Sequence, residues 1–422
     1  MAATTWWPSS ARMAMSLLDR GCEVEAICPP GHPLRYVRGI GRCYLYRRFD
    51  SVGSLRKALL QSAPDAIIPF DDGVVWQLHE IFRKEPSLRT MLERSLGRSE
   101  YFEVTQSRER LLEVAGQLGV RVPQTRRITS QEQLRNWSET VGSPAILKLD
   151  GTWGGNGVHF AATANQAGSL LPFLLKPVPR MRAWKRLIVD RDPIALWSWK
   201  GWLTPTVTVQ EFIPGRPANT MMVCWQGKVL GMVTVEVLWS QGPRGSATVV
   251  RLIEHEEIAQ AAHLIAGRLE LSGFHGLDFI LEEGSGKAYL LELNPRCTQL
   301  GHLPITDQGD LAGLFYSALT GTAVAIDPTD FSLSPPDTIA FFPQASMWNP
   351  RSRALRDGYH DVPWQEPLLV RELLKPLWPN RCWQARLYHW VRPPAREKAT
   401  AFEEQLSGEP MPSPSKEATQ AK

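Results

Sequence analysis

This chain of 422 residues has no long apolar run, no paired cysteines and little net charge. Its uncharged stretch from Leu311 to Ile326 falls short of the ~20 apolar residues that a membrane helix needs. The first residues lack the charged-then-apolar order of a secretory signal. Six cysteines form no CxxC pair and no zinc-ligand spacing, which favours buried thiols in a reducing compartment. We therefore expect a cytoplasmic protein.

The composition excludes further classes of protein. The formal net charge is only +4, which is too small to indicate a nucleic-acid-binding protein. Hydrophobic residues make up 43% and charged residues 21%, the balance of a folded globular protein rather than of a disordered chain or a fibre. The length predicts about two to three compact units.

Residues 1–97 alternate predicted helices and strands, which is typical of a parallel α/β domain. The opening strand is missing or very short, so either the true start lies upstream or this edge of the sheet is frayed. The predicted elements are helix Ser10 to Arg20, strand Glu23 to Cys28, helix Ser54 to Gln61, buried strand Ala66 to Phe70 and helix Val74 to Phe82.

Residues 98–330 show an α+β pattern. Residues 331–392 form a Trp- and Arg-rich extension, and the composition of residues 393–422 predicts a disordered tail. The predicted helices of the α+β region are Ser107 to Leu118 and Glu256 to Leu271, and its strands are Ala145 to Leu149, Val158 to Ala161, Val207 to Ile213, Met221 to Trp225, Val229 to Val237, Gly276 to Glu282 and Lys287 to Leu293.

The most informative segment is the predicted hairpin Gly276 to Arg296, in which a Gly-Ser-Gly turn separates two alternating apolar runs. We expect Glu283 to face Lys287 across this turn. Pairing continued from there places Asp278 directly opposite Glu292, with Cβ atoms about 5 Å apart on one face of the sheet.

Two carboxylates in this position repel each other unless a cation or a shared proton lies between them. Strand alternation puts Asn294 on the same face as Glu292. Carboxylate and amide oxygens suit Mg²⁺, which usually keeps waters and bridges to a phosphate. The sequence therefore predicts a metal site at Asp278, Glu292 and Asn294; the alternative is an exposed acidic hairpin.

A glycine-rich loop connects the predicted strands Ala145 to Leu149 and Val158 to Ala161. Its glycines let backbone N–H groups approach phosphate oxygens, and Lys148 adds a point charge. The loop lacks the GK[ST] of a Walker motif, and a strand follows it instead of a helix. By itself it is equally well explained as a flexible turn.

The strand Val207 to Ile213 ends in a Pro-Gly turn. Backbone groups of Glu211 to Ile213 could bind a nucleobase there, with Phe212 or Ile213 as an apolar wall. An ordinary strand with its exit turn explains the same residues.

These motifs, in this order, resemble the ATP-grasp superfamily over roughly residues 98–325, and the biotin carboxylase, carbamoyl phosphate synthetase and carboxylate–amine ligase types most of all. The resemblance implies a pre-ATP-grasp domain at residues 1–97. It also implies a two-subdomain ATP-grasp fold at 98–330, with a lid subdomain at about 122–208. It further implies ATP and Mg²⁺ as cofactors, with Mn²⁺ as the alternative ion.

The resemblance assigns roles to individual residues. Lys148 and Arg108 match two phosphate-binding cations, and Arg296 matches the arginine that contacts the acidic substrate or its phosphorylated intermediate. Lys148 and Arg296 are thus the implied catalytic residues. The remaining implied contacts are those to the nucleotide by Gly154, Gly155, Gly157, Gln210, Glu211, Phe212 and Ile213, and those to the metal by Asp278, Glu292 and Asn294.

The chain also departs from the family pattern. The acid that binds the ribose falls at Pro217-Ala218, so either Asn219 does this work or nothing does. Leu300 stands about where biotin carboxylases have a glutamate, and the chain has no AMKM biotin site. Biotin carboxylation is therefore not expected. A single grasp unit without a glutaminase also argues against complete carbamoyl phosphate synthesis.

The resemblance implies a ligase that forms an acyl phosphate with Mg-ATP and couples it to an amine or another nucleophile. Its partners would be a small carboxylate and a small amine, with no nucleic acid. The alternative is a non-catalytic ATP-binding module with a regulatory or scaffold role.

Other features leave two interpretations open. Asp71 and Asp72 follow the strand Ala66 to Phe70, where α/β sheets often meet ligands, but a loop-entry turn explains them equally well. His302 is either a substrate-site residue or a packed histidine. Two tryptophan groups lie among basic residues and either contact a membrane surface weakly or pack onto the protein. They are Trp184, Trp197, Trp199 and Trp202, and Trp378, Trp383 and Trp390.

Overall fold

The computed structural model describes residues 1–149, 157–176, 206–242, 245–305, 309–322 and 337–375. Within these ranges no helix is both long enough and apolar enough to cross a bilayer. The helices are α1 (Pro8–Asp19), α2 (Ser51–Ser62), α3 (Asp72–Lys84), α4 (Arg89–Leu96), α5 (Phe102–Gln106), α6 (Arg108–Gln117), α7 (Gln131–Thr140), α8 (Ala164–Leu175), α9 (Glu256–Arg268), α10 (Leu311–Thr320), α11 (Gln344–Trp348), α12 (Ala354–Asp357) and α13 (Pro367–Leu373). The strands are β1 (Ala26–Cys28), β2 (Cys43–Leu45), β3 (Thr125–Ile128), β4 (Ala145–Leu149), β5 (Val158–Ala161), β6 (Val207–Glu211), β7 (Gly215–Trp225), β8 (Lys228–Ser240), β9 (Ala247–Leu252), β10 (Gly273–Glu282), β11 (Ala288–Asn294), β12 (Pro304–Ile305), β13 (Gly309–Asp310), β14 (Thr338–Phe341) and β15 (Tyr359–Asp361).

The N-terminal unit is built on a small parallel arrangement in which β1 pairs with β2. Ala2 forms parallel bridges to both Ile27 and Pro69, so the opening strand is as short as predicted. The predicted strand Ala66 to Phe70 is a buried extended segment with one bridge instead of a regular strand. Its contacts are Ala2 N to Ile68 O at 3.0 Å and Phe70 N to Ala2 O at 3.0 Å. Pro69 has no N–H to donate, which limits its pairing.

A four-stranded antiparallel sheet in the order β3-β6-β4-β5 forms a second unit. Leu147, Val207 and Val209 are buried on the face that packs against α7 and α8. Side-chain caps begin both helices, because Ser130 accepts from Gln133 N and Thr163 accepts from Gln166 N. This unit places Lys148 near the end of a buried strand.

The largest sheet has seven strands in the order β11-β10-β7-β8-β9-β14-β15. Alternate residues of β7 enter different apolar clusters: Met221 and Val223 pack with α1 and α10, whereas Met222 and Cys224 pack with α6 and α9. Both faces of the central strands are therefore covered, and side chains near the β10–β11 edge can remain polar.

The hairpin β10–β11 corrects one prediction and confirms another. Glu283 does not face Lys287: the N–H of Glu282 donates to Lys287 O at 2.9 Å, one residue away from the expected register. A β-bulge next to Asp278 then shifts the pairing by one residue, so that Asp278 does pair with Glu292. The carboxylate pair was predicted correctly from a turn register that was wrong.

Strands β14 and β15 show that the chain returns to the large sheet after residue 336. Ile339 pairs with Val250 of β9, and β15 runs parallel to β14. The sequence predicted no strands here, because the segments are only three to four residues long. The domain boundaries at 97 and 330 stay predictions, and residues 376–422 lie outside the described residues.

A buried ion cluster ties this C-terminal segment to the N-terminal unit. Asp361 accepts from Arg12 Nη2 at 2.6 Å and contacts His302 Nε2 at 2.7 Å. The Asp361 side chain is 2% exposed. Burial by itself would raise the pKa of Asp361, but the charges of His302 and Arg12 outweigh it and lower that pKa to about 2. His302 is thus a packed histidine in this cluster.

We expect Asp361 to contribute stability that depends on pH. Its folded pKa of about 2 lies below the ordinary value of 3.8, so the contribution of about 2 kcal/mol is present above pH 4 and disappears as the pH falls through 2. In urea unfolding, Asp361→Asn should be less stable than the parent protein at pH 6. The difference should narrow as the pH falls from 4 to 2.

The matched control is Asp357→Asn, which removes an exposed carboxylate four residues away. A difference between Asp361→Asn and the parent protein that stays constant from pH 6 to pH 2 would contradict the prediction.

Candidate functional site

The candidate site lies where the edge hairpin of the large sheet meets helix α6 and strand β4. Asp278 of β10 pairs directly with Glu292 of β11. Asn294 Nδ2 donates to Asp278 Oδ2 at 3.0 Å, and Asn219 Nδ2 of the next strand donates to Asp278 Oδ1 at 2.5 Å. The structure therefore brings all three predicted metal ligands together.

Two cations approach Glu292 from other elements. Arg108, the first residue of α6, donates from Nη2 to Glu292 Oε2 at 2.5 Å. The side chains are 14% and 32% exposed, respectively. Lys148 is buried near the end of β4, and its charge also acts on Glu292. The predicted phosphate-binding cations thus lie at the predicted metal ligands.

The surroundings shift the pKa values of the two carboxyl groups in opposite directions. Burial, and then the charge of Glu292, raises the pKa of Asp278 to about 7. Burial would also raise the pKa of Glu292, but the positive charges of Arg108 and Lys148 outweigh it and lower that pKa to about 2. The pKa values of the pair are thus shifted in opposite directions, so that Asp278 favours its protonated form and Glu292 its ionised form.

The donor set fits Mg²⁺. Two carboxylates and an amide supply hard oxygen ligands, and Mg²⁺ completes its shell with water and phosphate oxygens. No group of three or more His, Cys, Asp and Glu side chains able to hold a metal occurs among the described residues. A site of this composition suits an ion that arrives with a nucleotide better than an ion enclosed by protein alone.

Arg296 is held from two sides. Its Nε donates to Asp72 Oδ1 at 3.1 Å, and its Nη2 donates to Asn294 Oδ1 at 3.0 Å. The contact to Asn294 links Arg296 directly to the carboxylate pair. For Asp72 the sequence left two interpretations open, a residue near a ligand and a loop-entry turn. Its position after the buried segment that ends at Phe70 was the signal for the first.

The predicted hinge residues lie on or just after β6, between the two sheets. Gln210 donates from Nε2 to Thr125 Oγ1 at 3.0 Å, and the Glu211 carboxylate accepts from Gln124 N at 3.1 Å. These two side chains are engaged with β3 and the residue before it. The Glu211 N–H is engaged as well, since it donates to Gln124 O at 2.8 Å.

Phe212 and Phe160 form an apolar wall beside the hinge, with ring centroids 5.3 Å apart in an edge-to-face arrangement. Ile213, which follows Phe212 in the chain, is buried. In the glycine loop, Gly157 O accepts from Leu149 N at 2.8 Å. Gly154 and Gly155 lie outside the described residues.

Asn219 joins the carboxylate pair. The resemblance implied that either Asn219 or no residue binds the ribose, and the structure adds a contact in which the Asn219 amide donates to Asp278. The cause is the sheet register, since Asn219 pairs directly with Asp278 across β7 and β10. Its ribose role stays a prediction, and the contact to Asp278 is one that sequence reasoning missed.

Comparison with known families identifies part of this arrangement. The model of a family described as the ATP-grasp domain matches residues 174–299, which include the hinge strand and the carboxylate hairpin.

Solved structures extend the likeness to most of the chain. The biotin carboxylase domain of 2-oxoglutarate carboxylase from Hydrogenobacter thermophilus, in complex with MgADP, ADP and bicarbonate, is 13% identical with a TM-score of 0.55, covering 78% of this chain and 71% of that one. Biotin carboxylase from Campylobacter jejuni is 14% identical with a TM-score of 0.53, covering 78% and 72%. N5-carboxyaminoimidazole synthetase from Staphylococcus aureus, complexed with ADP, is 14% identical with a TM-score of 0.53, covering 76% and 77%. The predicted fold class is confirmed.

Because Arg108 contacts Glu292, we expect its replacement to change the affinities for the metal ion and for the nucleotide in opposite directions. In Arg108→Gln, Glu292 loses a charged partner, so Mn²⁺ should bind the nucleotide-free protein about tenfold more tightly, the equivalent of one hydrogen bond to a charged group. ATP should bind more weakly, because a phosphate-binding cation is lost. Titration by electron paramagnetic resonance measures the first effect, and calorimetry measures the second.

Arg110→Gln is the matched control, because Arg110 belongs to the same helix but forms its ion pair with Glu103 at the surface. Unchanged or weaker Mn²⁺ binding in Arg108→Gln would show that Arg108 does not compete with a cation for Glu292.

Proposed function

We propose that this chain, whose residues 174–299 match the ATP-grasp domain, is an ATP-dependent ligase that activates a substrate carboxylate as an acyl phosphate and couples it to an amine. One observation carries the proposal: the paired carboxylates Asp278 and Glu292 lie beside the cations Arg108 and Lys148. A site with this alternation of charge suits a metal–triphosphate, whose cation and anionic oxygens alternate in the same way.

The first step transfers the γ-phosphoryl group. An oxygen of the substrate carboxylate forms a bond to the γ-phosphorus, the bond from that phosphorus to the bridging oxygen breaks, and ADP leaves with the electron pair. Arg108 and Lys148 offset the charge on the phosphate oxygens and hold them in line. Such positioning and electrostatic stabilisation make up most of catalysis in phosphoryl transfer.

Mg²⁺, when bound by Asp278, Glu292 and Asn294, would supply charge stabilisation for the β- and γ-phosphates. Asp278 would bind the ion as a carboxylate, so its proton is released. The Asn294 oxygen that now accepts from Arg296 would need to serve the ion as well, or to reach it through water.

The second step forms the product. The amine nitrogen attacks the acyl carbon, the bond from that carbon to the phosphate oxygen breaks, and inorganic phosphate leaves while the nitrogen loses a proton to solvent. Arg296 would stabilise the acidic substrate and the phosphorylated intermediate through its guanidinium. The glycine loop that the resemblance places near the phosphates lies, at residues 150–156, outside the described residues.

Replacement of Glu292 by Gln tests the proposal. We expect ADP release to fall by about a hundredfold or more, because the variant loses one of the two charges that hold the metal. ADP release is first screened over pairs of acids and amines with the purified parent protein, and the product is detected by mass spectrometry.

Glu283→Gln is the control, since it removes an exposed carboxylate from the turn of the same hairpin. Full ADP release by Glu292→Gln would end the proposal. Tight ATP binding by the parent protein without ADP release for any pair would favour a regulatory or scaffold module instead.

A further inference from the structure

Asp72 belongs to the N-terminal unit, yet it reaches the candidate site. It is the first residue of α3 and follows Asp71, whose buried carboxylate accepts from Thr4 N at 2.6 Å, Thr4 Oγ1 at 2.8 Å and Val74 N at 2.9 Å. These three bonds fix the turn that carries Asp72. The Asp72 backbone is therefore a rigid base for its side chain.

Two neighbouring contacts join this turn to the loop after β11. The N–H of Cys297 donates to Pro69 O at 2.9 Å, and Arg296 Nε donates to Asp72 Oδ1 at 3.1 Å. A backbone bond and a side-chain bond from consecutive residues set both the distance and the orientation between the two segments. The ion pair between Arg296 and Asp72 is thus supported by a backbone hydrogen bond from the next residue.

The contact continues to the carboxylate pair through hydrogen bonds. Arg296 Nη2 donates to Asn294 Oδ1, and Asn294 Nδ2 donates to Asp278 Oδ2, each at 3.0 Å. Asp72 is therefore the outer end of an unbroken series that ends at Asp278.

The hydrogen bonds leave part of Arg296 for a ligand. A guanidinium has five N–H donors in a rigid plane. Asp72 takes the Nε donor and Asn294 takes one from Nη2, whereas Nη1 has no protein acceptor among the described residues. With one edge held by two acceptors on different segments, the opposite end of the plane points in a defined direction.

We propose that Asp72 is a positioning residue that orients Arg296 toward the substrate anion, so that the N-terminal unit takes part in the ligase site. The inference rests on the proposed function, in which Arg296 binds the acidic substrate or its phosphorylated form. Asp72 itself touches neither the substrate nor the nucleotide in this proposal.

An ordinary ion pair between the two units would act through its charge, whereas a positioning residue acts through its hydrogen bond. Asp72 is 38% exposed, and a pair with this exposure contributes little to stability through charge alone. The role of Asp72 then depends on its hydrogen-bond acceptor, which fixes the guanidinium plane. Asn retains that acceptor without the charge, whereas Ala retains neither.

The experiment compares Asp72→Asn with Asp72→Ala, two variants that remove the same charge. The probe is inorganic phosphate, titrated by calorimetry into protein saturated with MgADP, and Arg296→Ala gives the value without the guanidinium. We expect Asp72→Ala to weaken phosphate binding about fivefold to tenfold and Asp72→Asn to stay within about twofold of the parent protein. The affinity for ADP and the melting temperature should not change.

Two further variants complete the design. Asp72→Ser keeps a polar side chain in the first turn of α3 but lacks the reach to Arg296, so it should weaken phosphate binding as Asp72→Ala does. Glu103→Ala removes the partner of Arg110 in an exposed ion pair and should leave phosphate binding unchanged.

The outcomes separate this proposal from the proposed function. Equal phosphate affinity in Asp72→Asn, Asp72→Ala and Asp72→Ser overturns the positioning role, even if Arg296→Ala weakens binding as expected. Phosphate affinity that Arg296→Ala leaves unchanged overturns both the role of Arg296 and that of Asp72. Failure of the parent protein to bind ADP overturns the proposed function as a whole.

Discussion

The repulsion between Asp278 and Glu292 is the constraint on which the site depends. Two carboxylates opposite each other on a largely buried sheet edge cannot both stay ionised without compensation. The protein compensates with a raised pKa at Asp278, which favours its protonated form, and with the charges of Arg108 and Lys148, which act on Glu292. The same need for positive charge suits the pair to a metal ion that arrives with a nucleotide.

The positive charges that offset the two carboxylates come from different parts of the fold. Arg108 comes from the start of α6, Lys148 from the four-stranded sheet and Arg296 from the loop after the hairpin. Arg108 contacts Glu292 directly, Arg296 reaches Asp278 through the Asn294 amide, and the charge of Lys148 acts on Glu292. The N-terminal unit joins the same network through Asp72, so the site lies where every major unit contributes a charged side chain.

The fold supports this edge by burying both faces of the central strands. Clusters on the two sides of β7 hold the sheet in place, and the bulge beside Asp278 adjusts the hairpin so that the carboxylates remain opposite each other. Strands β14 and β15 complete the sheet at its other edge, and Asp361 ties them to Arg12 of the first helix. The polar site thus lies on a sheet that apolar packing and a buried ion pair hold in place.

Much of the fold and of the site could be predicted from local pattern. Alternation and turn residues sufficed for the hairpin and for the approximate range of β4, because these depend on residues close together in the chain. The facing of Asp278 and Glu292 was predicted from a turn register that was wrong, and the bulge beside Asp278 restored it. The bulge, the strands after residue 336, the contact of Asn219 with Asp278 and the bond of Asp72 to Arg296 were decided by tertiary structure. The bulge lies within the hairpin, where the alternating pattern gives no signal for an extra residue. The other three join residues far apart in the chain, and their distances are set by how strands and units pack, for which local periodicity carries no signal.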